Sequence, residues 1–276
     1  MFKISHLAGD SAGLKEAVAR VASTYHRLRD NPEFRPSPNT NISRGLWQIF
    51  RQLPLSAWQE SRRKSKPGPS HAFRVLDEAG NVVRTDEPVF LVRHLTPAQV
   101  SGMVELGERC GGKINDIVGA IFLRALANEG EKQPGIQLRL QSTVDLRRWY
   151  LAEQKSVDIC NLSYFEYLNL GEDPGPDLRT TLERVSQFSR ERKSNWIGLS
   201  SFLGEIGLLL VLPSMPLNAI FRQISHLRNA RNLLTNMGPI DSDRVTFDYP
   251  PQRAFMLVPP LYAPAVGLES VDSTAA

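Results

Sequence analysis

Leu14, Val18, Val21, Tyr25 and Leu28 recur every three or four positions, which gathers them near one face of a helix. Lys15, Glu16, Arg20 and Arg27 decorate the rest of that helix, and Asp30-Asn31-Pro32 closes it. Residues 2–6 read as a short strand entering a Gly-Asp turn. Residues 31–69 carry many prolines and basic residues and read as a long connection between lobes, with a helical piece around residues 46–50. Short strands are predicted at 71–76 and 89–92. From Thr96 onward the pattern becomes α/β. Thr96 caps a helix with Pro97 at its first position, which runs to about Cys110, and Gly111-Gly112 ends it. A more apolar helix starts at Asn115 or Asp116 and carries Ile117, Ile121, Phe122, Ala125 and Leu126. Strands are predicted at 137–144 and 160–168, a helix at 177–192, and short strands at 232–236, 245–247 and 255–258.

Composition limits the class of molecule. The chain has 276 residues, 41% hydrophobic and 22% charged, which is ample for a globular core in one or two domains. The net charge is only +4. Arg62, Arg63, Lys64 and Lys66 form one basic run beside Pro67-Gly68-Pro69, with no interleaved aromatic residues. This reads as a solvated loop and not as a nucleic-acid surface. Cys110 and Cys160 are far apart and form neither a C-x-x-C pair nor a disulfide framework, so a reducing, cytoplasmic setting is expected. No signal peptide is visible at the start. Residues 196–221 are apolar, but Glu205, Pro213 and Pro216 interrupt them. A spanning helix needs about 20 apolar residues, so a buried or tunnel-lining helix is expected and no transmembrane segment. No His/Cys/Asp/Glu spacing suggests a metal site.

The chemistry concentrates in Ser5-His6-Leu7-Ala8-Gly9-Asp10-Ser11-Ala12-Gly13, which carries two incompatible readings. As G-x-S-x-G it offers Ser11 as a nucleophile on a strand–turn–helix elbow, similar to the elbow of the hormone-sensitive-lipase-like esterases. That enzyme needs an acid and a histidine downstream, which order alone would assign to Asp145 or Asp173 and to His226. No H-G-G-G oxyanion segment accompanies them. As H-x-x-x-D the same stretch offers His6 as a general base. Asp10 then pins the His6 loop by pairing with a distant arginine. Arg147, directly after the 137–144 strand, is the candidate partner. Asp10 also suits the N-cap of the Leu14 helix, a role compatible with the first.

The histidine reading, with four further segments, resembles the condensation-domain and chloramphenicol-acetyltransferase-like acyltransferases. These include peptide-synthetase condensation domains, alcohol acetyltransferases and wax-ester synthases. The family pattern H-H-x-x-x-D-G is similar to Ser5-His6-Leu7-Ala8-Gly9-Asp10-Ser11, with serine in place of the first histidine and of the last glycine. Val144-Asp145-Leu146-Arg147 resembles the strand-end arginine segment. Ile114-Asn115-Asp116-Ile117-Val118 resembles the start of the buried helix. Cys160-Asn161-Leu162-Ser163 resembles the asparagine strand, and Leu234-Thr235-Asn236-Met237-Gly238-Pro239-Ile240 resembles the S-N-L-G segment.

The resemblance implies an α/β, two-lobe chloramphenicol-acetyltransferase-like fold with an incomplete N-terminal lobe, because the family motif lies deeper in its lobe than His6 does here. Residues 1–90 would be the remainder of that lobe with a connecting segment, and residues 91–276 the C-terminal lobe. The family's last strands and helix are not expected after Gly267. The resemblance further implies acyl transfer from a thioester, either acyl-CoA or a phosphopantetheine-linked acyl group, to an alcohol or amine. No permanently bound cofactor is implied. His6 would be the general base, with Asp10 and Arg147 supporting the site. Asn161 and Asn236 are candidates for substrate contact, the alternative being that they satisfy backbone groups. The partners implied are a small-molecule acceptor and an acyl or peptidyl carrier protein. A serine esterase using Ser11 and a non-catalytic condensation-like binding domain remain the alternatives.

Overall fold

The computed structural model describes residues 2–6, 8–38, 90–129, 137–149, 159–199, 232–249 and 267–273, with isolated positions between them. The Leu14 helix forms as α1, Ser11–Asp30, and Asp10 caps it by accepting from the Gly13 amide at 2.9 Å. Thr96 caps α2, Pro97–Arg109, through a capping box with Gln99. The apolar helix is α3, Ile114–Glu129. It begins one or two residues earlier than expected because the Asp116 side chain accepts from the Lys113 amide. Asp177 caps α4, Leu178–Lys193.

Four strands form one mixed sheet in the order β2-β1-β3-β4. Strand β1, Arg139–Asp145, pairs antiparallel with β2, Ser163–Asn169, from Arg139 opposite Asn169 to Asp145 opposite Ser163. On its other side β1 runs parallel to β3, Leu233–Ile240. Strand β3 runs parallel to β4, Gly267–Ser273, with an irregularity in register between Asn236 and Pro239. Gly238 lies within that bulge at φ +68°, a backbone state that glycine reaches without a Cβ penalty.

The sheet buries one face under α3 and α4. Ile117, Ala120, Leu123 and Leu126 of α3 meet Leu182 and Val185 of α4 over Leu140, Leu168 and Leu234 of three strands. A second core joins Leu146, Cys160, Leu162, Tyr164 and Leu199. Between these cores the end of β1 turns through a 3-10 segment, Leu146–Trp149. That turn aims Arg147 at the N-terminus of α1.

Several sequence expectations are corrected. The strand expected at residues 2–6 does not form. The Ala8 and Gly9 amides both donate to the Ser5 carbonyl, folding the segment into a turn, and the Phe2 ring stacks on Phe247. The strand expected at 89–92 does not form over its described positions, where Phe90, Leu91 and Val92 are all exposed with no face to bury. The strand expected at 245–247 is replaced by a 3-10 turn, Asp243–Val245, in which the Val245 amide donates to the Ser242 carbonyl. Strand β3 continues past Asn236 to Ile240. Strand β4 lies after Gly267, where no strand was expected. Its Gly-Leu-Glu-Ser-Val-Asp-Ser sequence is mostly polar or small and has low strand propensity, so parallel pairing to β3 defines it. The predicted elements around 46–50, 71–76 and 255–258, the basic run 62–66, and most of 196–221 lie outside the described residues.

Candidate active site

Three segments distant in sequence meet at the start of α1. Asp10 is buried at 5% exposure, and its carboxylate is fully used. Oδ1 accepts from the Gly13 amide. Oδ2 accepts from Arg147 Nη1 at 2.8 Å and from the Leu162 amide at 2.8 Å. A buried carboxylate needs such partners to offset lost hydration. Arg147 Nη2 in turn donates to the Cys160 carbonyl at 2.8 Å, and Nη1 also reaches Asp145 at 3.1 Å. Burial alone would lower the pKa of Arg147. The hydrogen bond and charge of Asp10, with Asp145, outweigh it and hold the pKa above its ordinary value. The guanidinium is therefore permanently charged. Helix α1 packs closely here, since a Cβ on Gly13 would lie 3.1 Å from the Cys160 carbonyl oxygen. Any larger residue at Gly13 would press on the Cys160 backbone.

His6 is exposed on the loop that Asp10 anchors. Asn161 Nδ2 donates to the His6 carbonyl at 2.7 Å and lies 3.1 Å from His6 Nδ1. Asn161 Oδ1 accepts from the Ser163 amide at 3.1 Å. Asn161 thus binds the histidine backbone and ring from the start of β2. Asn236 sits elsewhere, on the β3 bulge. Its Oδ1 accepts from the Gly238 amide at 2.8 Å, and its Nδ2 bonds Asn115 at the start of α3. Both asparagines satisfy neighbouring polar groups. His6, Asp10, Arg147 and Asn161 are brought together, whereas Asn236 has no direct contact with them.

Ser11 is the first helical residue of α1, and its backbone is not strained by replacing a glycine. Its hydroxyl donates to the Met237 carbonyl at 3.3 Å and not to a histidine. Of the partners for a serine nucleophile, Asp145 is engaged with Arg147 and Asp173 caps the Gly175 turn. His226 lies outside the described residues.

Two residues near the site have no functional signal in the sequence. Lys15, one turn after Ser11, donates to the Met237 carbonyl at 2.7 Å and the Pro239 carbonyl at 3.1 Å. Burial lowers its pKa, partly offset by Asp145 and Asp10. The Leu162 amide completes Asp10 but carries no side-chain signature. A cavity of about 200 Å³ beside α1 is lined by Lys15, Glu16, Pro239, Ile240 and Arg244. His6 is not in its wall, so the cavity and the candidate chemistry are separate. Among the described residues no group of His, Cys, Asp and Glu could hold a metal ion, and no helix is long and apolar enough to cross a membrane.

No protein-family model and no curated protein matches the chain. Solved structures do. The epimerization domain from the third module of tyrocidine synthetase B aligns with a TM-score of 0.61 at 12% identity, covering 98% of this chain and 60% of that one. A structure describing condensation domain-mediated chain release from the enacyloxin polyketide synthase aligns with a TM-score of 0.50 at 16% identity, covering 98% of this chain and 50% of that one. This chain therefore spans only part of each neighbour's length. At these identities the likeness concerns architecture. The chain has an α/β fold similar to that of these two solved proteins.

Proposed function

We propose that this chain carries an acyl-transfer site centred on His6. The observation that carries the reading is the convergence of Asp10, Arg147 and Asn161 on the loop that presents His6 to solvent. In the reaction a nucleophilic oxygen or nitrogen of the acceptor attacks the carbonyl carbon of a thioester. A C–O or C–N bond forms, the C–S bond breaks, and the acceptor's proton is lost as the thiol leaves protonated. His6 is the catalytic residue of this reading, and Asp10 and Arg147 are positioning residues. A rigid loop serves such a reaction because positioning contributes much of the rate. The donor is acyl-CoA or an acyl group on a phosphopantetheine arm, the latter delivered by a carrier protein. The acceptor is a small alcohol or amine.

The test measures thiol release from acyl-CoA and acyl-pantetheine with alcohol and amine acceptors, in wild type and His6→Ala. Loss of release with an unchanged melting curve supports the reading. Undiminished release by His6→Ala removes it. Labelling of Ser11 by a fluorophosphonate would instead favour the serine esterase, whereas the Ser11–Met237 hydrogen bond speaks for a residue engaged in structure.

A further inference from the structure

An imidazole can assist thioester chemistry in two opposite ways. With its outer nitrogen, Nε2, unprotonated, it takes a proton from the acceptor. With a proton on Nε2, it donates a hydrogen bond to the carbonyl oxygen that gains charge during attack. In the neutral ring, which form is present depends on the hydrogen bond made by the other nitrogen.

At His6 that other nitrogen faces Asn161. The orientation of the Asn161 amide is fixed by two independent backbone bonds. Its oxygen accepts from the Ser163 amide at 3.1 Å, and its nitrogen donates to the His6 carbonyl at 2.7 Å. Rotating the amide by half a turn would set oxygen against the His6 carbonyl oxygen and nitrogen against the Ser163 N–H, losing both bonds. The group 3.1 Å from His6 Nδ1 is therefore the amide NH2, which has two protons to donate and no lone pair to offer. One proton meets the His6 carbonyl and the other meets the ring. Nδ1 must then be the acceptor, and the single proton of the neutral ring resides on Nε2.

Resting on the acyl-transfer reading of this site, we propose that Asn161 is a positioning residue that sets the tautomer of His6, so that His6 presents Nε2–H to the thioester as a hydrogen-bond donor. This differs from the general base that the sequence reading assigns to His6. The bonding balance is unchanged. The acceptor forms the new bond to the carbonyl carbon, the C–S bond breaks, and the acceptor's proton passes through solvent to the departing sulfur. His6 neither gains nor loses a proton over the cycle. Its N–H stabilises the oxygen of the tetrahedral intermediate and is returned intact. Such a site favours an acceptor that is nucleophilic without a protein base, as a neutral amine is, over an alcohol.

The experiment is nitrogen-15 NMR of the full chain labelled at histidine, with His6 assigned among the five histidines by the His6→Gln variant. The readout is which ring nitrogen carries the proton once the ring is neutral. The expected result is a protonated Nε2 and a bare Nδ1 in wild type. Asn161→Asp, whose carboxylate can only accept, is expected to draw the proton to Nδ1. If that variant fails to fold, Asn161→Ala is expected to move the Nδ1 resonance while leaving Nε2 protonated. A proton on Nδ1 in wild type overturns the proposal. So does an unchanged tautomer in folded Asn161→Asp, or an unmoved Nδ1 resonance in Asn161→Ala. The proton's location is read without any acyl transfer, so failure here is distinct from loss of the transferase reading, which the His6→Ala assay tests.

Discussion

The described residues contain two arginine–carboxylate pairs that are almost wholly buried, and they are built differently. Arg192 meets Glu166 through two parallel bonds of 3.0 Å, with both side chains at 6% exposure. The Gly198 amide also donates to Glu166. The bonds are concentrated, and they lock β2 to the end of α4 and the turn behind it. Arg147 meets Asp10 at one point, at 9% and 4% exposure. Both partners also bond backbone, Asp10 the Gly13 and Leu162 amides and Arg147 the Cys160 carbonyl, and Arg147 reaches the Asp145 carboxylate as well. Asn161, which holds His6, lies between Cys160 and Leu162. A fork-on-fork pair fixes packing between two elements. A pair whose bonds are spread over three segments sets the path of the chain, and here that path carries the candidate chemistry.

Truncating either arginine gives the largest effect. Arg147→Ala and Arg192→Ala each strand a buried carboxylate, and each is expected to cost about 3–5 kcal/mol in urea unfolding. A loss well below that for either would mean its carboxylate is not buried in solution.

Replacing both members of a pair should separate the two. Glu166→Leu with Arg192→Met leaves one backbone amide, that of Gly198, without its acceptor. Asp10→Leu with Arg147→Met leaves two, those of Gly13 and Leu162. At about 1–3 kcal/mol for each stranded donor, the Asp10 double variant is expected to be the less stable by one such amount. Equal stability of the two would remove the distinction between them.

Smaller effects bracket the comparison. Thr96→Ala breaks the capping box of α2, remote in sequence from both pairs, and is expected to cost about 1 kcal/mol without altering acyl transfer. The weakest contribution is Glu16, which bridges Arg20 and Arg244. Burial pushes its pKa up, but the bonds and charges of the two arginines outweigh burial, so the folded value lies below the ordinary 4.5. A carboxylate with a depressed folded value stabilises the fold above its unfolded pKa, and this stability fades as pH falls through the folded one. Wild type should therefore lose more stability than Glu16→Gln as pH drops below 4.5, measured as the urea midpoint against pH.

The difference between the two pairs also governs what the sequence reveals. Asp10 is legible because a carboxylate four residues after a histidine, at a helix start, has few other uses, and it implied an arginine at a strand end. Glu166 gave no such sign. It alternates with Tyr164 and Leu168 on the buried face of β2, where a polar residue reads as an error of register until its partner on α4 is known. Helices α1, α2 and α4 were legible because each has a capping side chain at its start. Strand β4 and the turn at residues 5–9 were not, because pairing with distant backbone in one case and two bonds to a single carbonyl in the other leave no periodic trace. The contact of Asn161 with the His6 ring depends on how β2 lies against the N-terminal loop, and no spacing in the chain encodes it.

The measurement that tests the central claim most directly is thiol release from acyl-CoA and acyl-pantetheine, with amine and alcohol acceptors, by wild type, His6→Ala and the Glu166→Leu/Arg192→Met double variant. The expected result is release by wild type and by the double variant, with His6→Ala at the uncatalysed background. Release by His6→Ala at the wild-type rate would contradict the account.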